Sequence, residues 1–419
     1  MRSILEYILK ILAKIVIWRY QPIIVAVTGS IGKTSTKEAI YYVLRKKFRV
    51  RRNLKNYNNE IGVPLTILGL ETGGSSVFSW LINFLKAILI FFWSKGYPEI
   101  LILEIGVDKP GDMKYLLDFI PVKIGVFTAI GEFPVHLEFF QEKGKLVKEK
   151  AQLVESLPKD GLAILNYDDL SIRMVGDELS ENIKTLYYGF GEGADIKINN
   201  YELKMDDFEK GKFGISFKLE HEGSNVPIKL KRVLGKQQCF IAAAAASVGL
   251  YFGLNLVEIS SALGKYRSLA GRTKLLQGVK NTWIIDDSYN ASPLATIASL
   301  ELLEEFPGRK IAVLGDMLEL GQDTEIAHRQ VGKKAASVVD LLFVVGSRSV
   351  FIADQARQQG LDQDQIFEFS QSSEAGVPLQ EKIQPGDIIL IKGSRSIHME
   401  KITKEIMAHP EEADRLLVQ

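Results

Sequence analysis

The chain has 419 residues, too many for one ordinary hydrophobic core, and 52 Lys and Arg against 51 Asp and Glu leave a formal net charge of +1. That balance excludes a general electrostatic drive toward nucleic acid, and the lone Cys239 excludes an internal disulfide and fits a reducing cytoplasm. The 46% hydrophobic content is high for a soluble enzyme, and two segments account for much of the excess.

The first is Met1 to Tyr20. Leu5, Ile8, Leu9, Leu12, Ile15 and Val16 recur at helical spacing, with Glu6, Lys10 and Lys14 on the opposite face. This predicts an amphipathic helix over 1–21 that lies in a membrane interface or packs on its own domain or a second subunit. It is a poor signal peptide, because lysines interrupt the apolar run and no small-residue cleavage site follows.

A buried parallel strand, Ile23 to Val27, comes next, then Thr28-Gly29-Ser30-Ile31-Gly32-Lys33-Thr34-Ser35, then a helix to Leu44. Strand, glycine turn and helix in that order make a phosphate cradle. Backbone N–H groups close on phosphate oxygens, Lys33 reaches the terminal phosphates and the Thr34 hydroxyl is placed for Mg²⁺. Val27 stands where the common loop has its first glycine, so this loop is a shortened relative.

Arg45 to Lys55 carries seven basic residues in eleven, read as a solvated strand and turn or as an attractor of phosphates or anionic headgroups. A polar loop, Asn56 to Pro64, contains Asn58 and Asn59. Val77 to Trp93 is the second hydrophobic segment, inside an insertion at 75–97. It sits at the lower edge for spanning a bilayer, and Lys86 at that depth costs about 2.5 to 3.5 kcal/mol. A helix in the interface, with Trp80 and Trp93 at headgroup level, is favoured over a span, and a buried core helix is the alternative.

Glu104 ends the apolar strand Ile100 to Leu103, where open α/β sheets bind ligands, so a Mg²⁺ role is sensible. Strands follow at Lys123 to Thr128 and Gly161 to Asn166, with a helix from Glu142 to Leu157 between them. Tyr187 to Val233 alternates as an antiparallel region, and Gln238 to Leu250 is an alanine-rich helix. From Gly271 an α/β pattern restarts, with strands at 283–285, 311–314, 341–345 and 388–391.

The spaced motifs resemble the Mur ligases, most closely the type that adds D-alanyl-D-alanine to a UDP-muramoyl peptide. They are Thr28-Gly29-x-x-Gly32-Lys33-Thr34, Asn58-Asn59-Glu60-Ile61-Gly62-Val63-Pro64, Glu104-x-Gly106, His136-Leu137-Glu138 and Asn166-x-Asp168-Asp169. Gly271-Arg272, Asp286-Asp287-Ser288-Tyr289-Asn290-Ala291, Leu314-Gly315-Asp316-Met317-x-Glu319-Leu320-Gly321 and Lys392-Gly393-Ser394-Arg395 complete the set.

The resemblance implies an α/β fold: a P-loop central ATPase domain with a mostly parallel sheet plus a β-rich part (22–270), then a Rossmann-like domain (271–419). It implies an ATP-dependent amide ligase that activates a carboxylate as an acyl phosphate and joins it to an amino acid or dipeptide. Cofactors would be ATP and Mg²⁺, with CO₂ as a carbamate on Lys150. Lys33, His136 and Lys150 would be catalytic, and Thr34, Glu104, His136 and the Lys150 carbamate would hold metal. ATP would meet residues 28–35, Arg272 and Asp287. The substrates would meet Asn58, Asn59, Tyr289, Asn290, Ser394 and Arg395.

Three departures shape the expectation. Gly235 to Ile241 stands where the family has an Asn-containing adenine segment, and Gln152 stands where an acid is usual. No counterpart of the family's UDP-binding N-terminal domain precedes the ATPase strand. The two hydrophobic segments are therefore expected to hold the enzyme at the inner face of the membrane, with an acceptor lacking a UDP handle. A ligase of the polyglutamate type and a non-catalytic nucleotide-binding adaptor are the competing readings.

Overall fold

The computed structural model describes residues 2–54, 57–93, 96–208 and 211–418, so Lys55 and Asn56 of the basic and polar stretches lie outside the described residues. Two sheets organise it. The first contains β1 (Ile23–Thr28), β2 (Val50–Arg52), β3 (Ile100–Glu104), β4 (Ile124–Phe127), β5 (Leu162–Asn166) and β6 (Lys184–Gly189), in the order β2-β3-β1-β4-β5-β6, all parallel. β7 (Ile196–Asp207), β8 (Lys212–His221) and β9 (Ser224–Lys231) extend this same sheet to nine strands, and β7-β8-β9 run antiparallel.

The chemistry of the strands explains the change of pattern. β3 and β5 are buried along their whole length and read as unbroken apolar runs, as a parallel sheet covered on both faces requires. β8 and β9 alternate buried and exposed residues, because one of their faces meets water.

Helix α2 (Lys33–Leu44) and the helix Gln237–Tyr251 cover one face of the sheet. Ala242 to Ala246 are all buried there, and their small side chains let that helix approach α2 closely. The other face carries α1 (Arg2–Tyr20), α3 (Gly62–Leu68), α4 (Val77–Trp93), α5 (Asp112–Leu117), the short α6 (Leu137–Phe140) and α7 (Lys143–Glu155).

The second sheet holds β10 (Lys274–Gly278), β11 (Thr282–Asp287), β12 (Lys310–Gly315), β13 (Leu341–Val345), β14 (Ile366–Phe369) and β15 (Ile388–Lys392), in the order β10-β11-β15-β12-β13-β14. Only β10 is antiparallel to its neighbour. The α/β class and both sheets agree with the sequence reading.

Three expectations need correction. In α1 the buried side chains are Leu9, Ala13, Val16 and Ile17, while Ile8 and Ile15 are exposed. The helix is apolar on two faces, so Leu5, Leu9, Leu12 and Val16 of the expected stripe pack on the core while Ile8 and Ile15 lie on the second apolar face. α4 is no buried core helix, since Leu81, Leu85, Ile88 and Leu89 all face out. The basic stretch is neither simply solvated nor free for phosphate. Arg51 donates to Ile67 O at 2.7 Å and lies over the Tyr97 ring, Arg52 pairs with Glu38 at 2.7 Å, and Arg49 pairs with Glu99 at 3.1 Å. Trp93's side chain lies outside the described residues.

One buried acid gives a stability prediction. Asp286 is fully buried on β11, and burial raises its pKa to about 6 despite a hydrogen bond from Thr403 at 3.3 Å. A carboxyl with a raised folded-state pKa opposes folding once ionised. The penalty is absent below the unfolded value of 3.8, grows as pH rises, and is complete above about 6, where it amounts to roughly 3 kcal/mol. Asp286→Asn is therefore expected to gain urea-midpoint stability relative to wild type between pH 4 and pH 8. The same difference at both pH values would contradict this.

Candidate active site

The site forms where β1, β3 and β4 end. β1 delivers the chain into the loop at Thr28, and α2 leaves it with Gly32 as its N-cap at φ 83° and no side-chain cap on the first-turn N–H groups. Gly29 has φ 139°, and a Cβ there would stand 2.1 Å from Thr128 Oγ1, so only glycine lets the loop lie against β4. The Thr128 hydroxyl bridges Thr28 O at 3.0 Å and Ile31 O at 2.6 Å, and Ser30 N donates to Ala129 O at 2.7 Å. Ser30 Oγ is buried without a hydrogen-bond partner, and buried Ser35 lies beside the Tyr266 hydroxyl.

Lys33 Nζ donates to Gly29 O at 2.8 Å and Ser30 O at 3.4 Å, folded over its own loop. Burial lowers its pKa, opposed by the nearby Glu104 and reinforced by Arg272 from the second domain. An ammonium desolvated this way gains when anionic phosphate arrives.

Glu104, at the end of β3, is the hub. Its Oε1 accepts from Thr34 Oγ1 at 3.2 Å and from Asn58 Nδ2 at 3.3 Å. Its Oε2 is buried with no hydrogen bond, 3.6 Å from Lys37 Nζ. Gly106 makes room for this, because a Cβ there would sit 2.8 Å from the Asn58 amide. Asn53 fixes the strand end, its Oδ1 accepting from Glu104 N at 2.6 Å and its amide donating to Tyr57 O and Glu104 O.

Lys150 projects from α7 with an exposure of 0%, and its amine has no hydrogen-bond partner. Burial first, then the charge of Lys33, hold its pKa well below the usual lysine value, which favours the unprotonated amine. Glu149 beside it accepts from Gly111 N and Met113 N, both at 3.0 Å. Gln152 donates to Glu149 Oε2 at 3.1 Å, a bond that the acid usual at this position makes only when protonated.

His136 takes φ 72° as N-cap of α6 and pairs through Nδ1 with Glu319 Oε2 at 2.8 Å, with Asp108 Oδ1 3.9 Å from Nε2. Glu319 belongs to the second domain, and Glu138 N donates to its carbonyl at 3.4 Å. The two domains thus meet at the expected metal residue.

On the second domain, Arg272 lies 4.0 Å over the Tyr289 ring. Asp287 is fully engaged: Oδ1 accepts from Thr273 N at 3.0 Å, and Oδ2 accepts from Ser299 Oγ at 2.8 Å and from Lys392 Nζ. Lys392 also donates to Asn290 O at 3.0 Å. Ser394 Oγ accepts from Leu318 N at 2.9 Å, and Arg395 pairs with Glu400 at 3.2 Å. Asn59 accepts from Gly62 N at 2.9 Å, a turn at the head of α3. Gln238 is buried and accepts from Tyr266 at 3.4 Å, and Ile241 lies in the core.

Sequence reasoning assigned no role to Asn53, Lys37, Asp108, Glu319 or Lys392. Glu319 and Lys392 stood inside quoted motifs, and that was the available signal. Asp169 likewise shapes the wall of the cradle, accepting from Ile130 N at 2.7 Å and Gly131 N at 3.0 Å.

The family model for the Mur ligase middle domain matches residues 27–79 and 86–249, and that for the Mur ligase glutamate ligase domain matches 271–395. The chain belongs to the Mur ligase family, whose members are ATP-dependent, ADP-forming ligases. The UDP-N-acetylmuramoyl-tripeptide--D-alanyl-D-alanine ligase of Bacillus subtilis is 29% identical over 394 residues, covering 92% of this chain and 76% of the relative. The enzyme of the same name from Escherichia coli is 26% identical, covering 91% and 76%. MurF of Thermotoga maritima in complex with ADP superposes with a TM-score of 0.77 at 25% identity, over 98% of this chain and 84% of that one.

Proposed function

We propose that the chain is a cytoplasmic ligase that joins D-alanyl-D-alanine to a UDP-muramoyl-tripeptide at the expense of ATP, with residues 22–270 and 271–419 as its two catalytic domains. The names of the relatives support the substrates. What carries the chemistry is the convergence of Lys33, Thr34 and Glu104 at the ends of β1 and β3, with the buried Lys150 of α7 near enough to feel the charge of Lys33.

A carboxylate is a poor electrophile, and transfer of the γ-phosphoryl group to it creates a good leaving group for attack by the dipeptide amine. Positioning and charge neutralisation are then the enzyme's main task. Lys33 turns from its loop carbonyls to the β- and γ-phosphates. The uncapped N–H groups at the start of α2 receive phosphate oxygens.

Thr34 and Glu104 fit Mg²⁺: both present hard oxygens, and Glu104 Oε2 is buried without a hydrogen-bond partner, with Lys37 Nζ 3.6 Å away. Among the described residues no three His, Cys, Asp or Glu side chains form a metal cluster, so phosphates and water would supply the other ligands. The metal supplies neutralisation of the charge on the transferring group. His136 is the candidate holder of a second ion.

Lys150 fits CO₂ as well, since carbamate forms on the unprotonated amine, which burial favours, and this amine has no hydrogen-bond partner among the described residues. Arg272, whose charge is felt by Lys33, meets ATP from the second domain in this reading, and Asp287, held by Thr273, Ser299 and Lys392, acts through the strand end it fixes. In this reading the substrates meet Asn58, Tyr289, Asn290, Ser394 and Arg395, with Asn59 acting through the turn it holds.

The test is ADP and phosphate release with Mg²⁺, bicarbonate, UDP-muramoyl-tripeptide and D-alanyl-D-alanine, with the pentapeptide product identified by mass. Turnover with L-glutamate and none with the dipeptide would overturn the substrate assignment.

A further inference from the structure

Most exposed large apolar side chains of the described residues cluster on α1 and α4. On α1 the stripe is Ile4, Ile8, Ile11, Ile15 and Trp18, a helical spacing turned away from the core that holds Leu9, Ala13 and Val16. On α4 it includes Phe78, Leu81, Leu85, Leu89 and Phe92, with Phe78 71% exposed.

α4 is apolar on both faces. Ala87 is buried, and Trp80, Phe84 and Ile90 pack on the core beside Asn83, which donates to Glu71 O at 2.8 Å, while the outward face is apolar apart from Lys86. A surface helix of a water-soluble protein keeps its outward face polar. The two helices belong to the same layer and touch where Tyr20 donates to Ile90 O at 2.5 Å. An apolar surface of this extent marks an interaction site.

Charge selects the occupant. Glu6 is the only acid on either helix, and Lys14, Arg19 and Lys86 are exposed beside the apolar stripes. A second copy of this face would bring the same cations together with almost no acid to answer them. An anionic bilayer answers them directly. Trp18, at 71% exposure, and Tyr7 suit the headgroup region. No helix among the described residues is long and apolar enough to cross a membrane, which leaves the in-plane geometry.

We propose that α1 and α4 together form a docking face for an anionic lipid surface, lying in its plane beside the ligase site.

The test is sedimentation of the full chain with vesicles of phosphatidylcholine alone or mixed with phosphatidylglycerol, at low and high salt. Binding is expected to the mixed vesicles and to fall several-fold at high salt. Ile11→Glu with Leu85→Glu, both exposed and foreign to the ligase site, is expected to weaken binding at least about tenfold while ATP turnover in solution is unchanged. Lys14→Glu with Lys86→Glu should reduce binding to the mixed vesicles only. No vesicle binding overturns the proposal. A dimer that Leu85→Glu dissociates, without vesicle binding, identifies a second copy as the occupant instead.

Discussion

Lys33→Ala is expected to lower kcat for ADP-forming ligation by about 10³-fold, the scale seen when a group aimed at developing transition-state charge is removed. The Lys33 amine donates to Gly29 O and Ser30 O of its own loop, and burial lowers its pKa. The variant should therefore keep the circular dichroism spectrum of the wild type and melt no lower than it. Because burial makes the ammonium costly until phosphate neutralises it, some of the loss should also fall on ATP affinity. The measurement is coupled ADP release together with calorimetric binding of ATP. A kcat within tenfold of wild type would remove Lys33 from the transfer step.

Lys150→Met is the second large effect. It keeps the volume of the side chain and deletes the amine. Activity should drop by about 10²-fold, as when a group supporting a metal ligand is lost, and the variant should become indifferent to bicarbonate while CO₂-depleted wild type recovers on its addition. A carbon-13 label from bicarbonate should appear as a carbamate signal in wild type and be missing in the variant.

Stability gives a readout independent of turnover. In bicarbonate-free buffer burial holds the folded amine's pKa below its ordinary 10.5, so the unfolded chain binds the proton more tightly. Folding then releases a proton, and wild type loses stability as pH falls toward the lowered folded value. Lys150→Met should therefore melt higher than wild type at pH 7, with the gap widening as the pH is lowered. Equal pH profiles would mean that Lys150 is charged in the fold.

The phosphate loop was legible in the sequence because strand, glycines and helix are local and each constrains the next. The buried strands of both sheets were legible as apolar runs. The antiparallel strands were seen as a region, but their continuity with the parallel sheet depends on the long-range pairing of β6 with β7, which no local pattern encodes.

The expected stripe of α1 divides between two faces for a physical reason. Periodicity marks where apolar residues recur and says nothing about which of two apolar stripes meets the core. Asn53, Asp108 and Glu319 stayed without roles because their contacts join segments far apart in the chain. Lys150 was found through the resemblance, since its distinction is an environment, full burial near the charge of Lys33, rather than a spacing.

The far end of the nine-stranded sheet reaches into the second domain. Phe208, just past β7, packs 4.4 Å from Trp283 and 5.7 Å from Phe306, ring centre to ring centre. Each such pair adds about 0.5 to 1.5 kcal/mol beyond the area it buries. The arrangement that brings Glu319 to His136 therefore has a share of its stability before any nucleotide arrives. Part of the cost of bringing the two halves together is thus met before any nucleotide binds. Weakening this aromatic joint would surface as a poorer apparent affinity for ATP, at a distance from every residue that touches it.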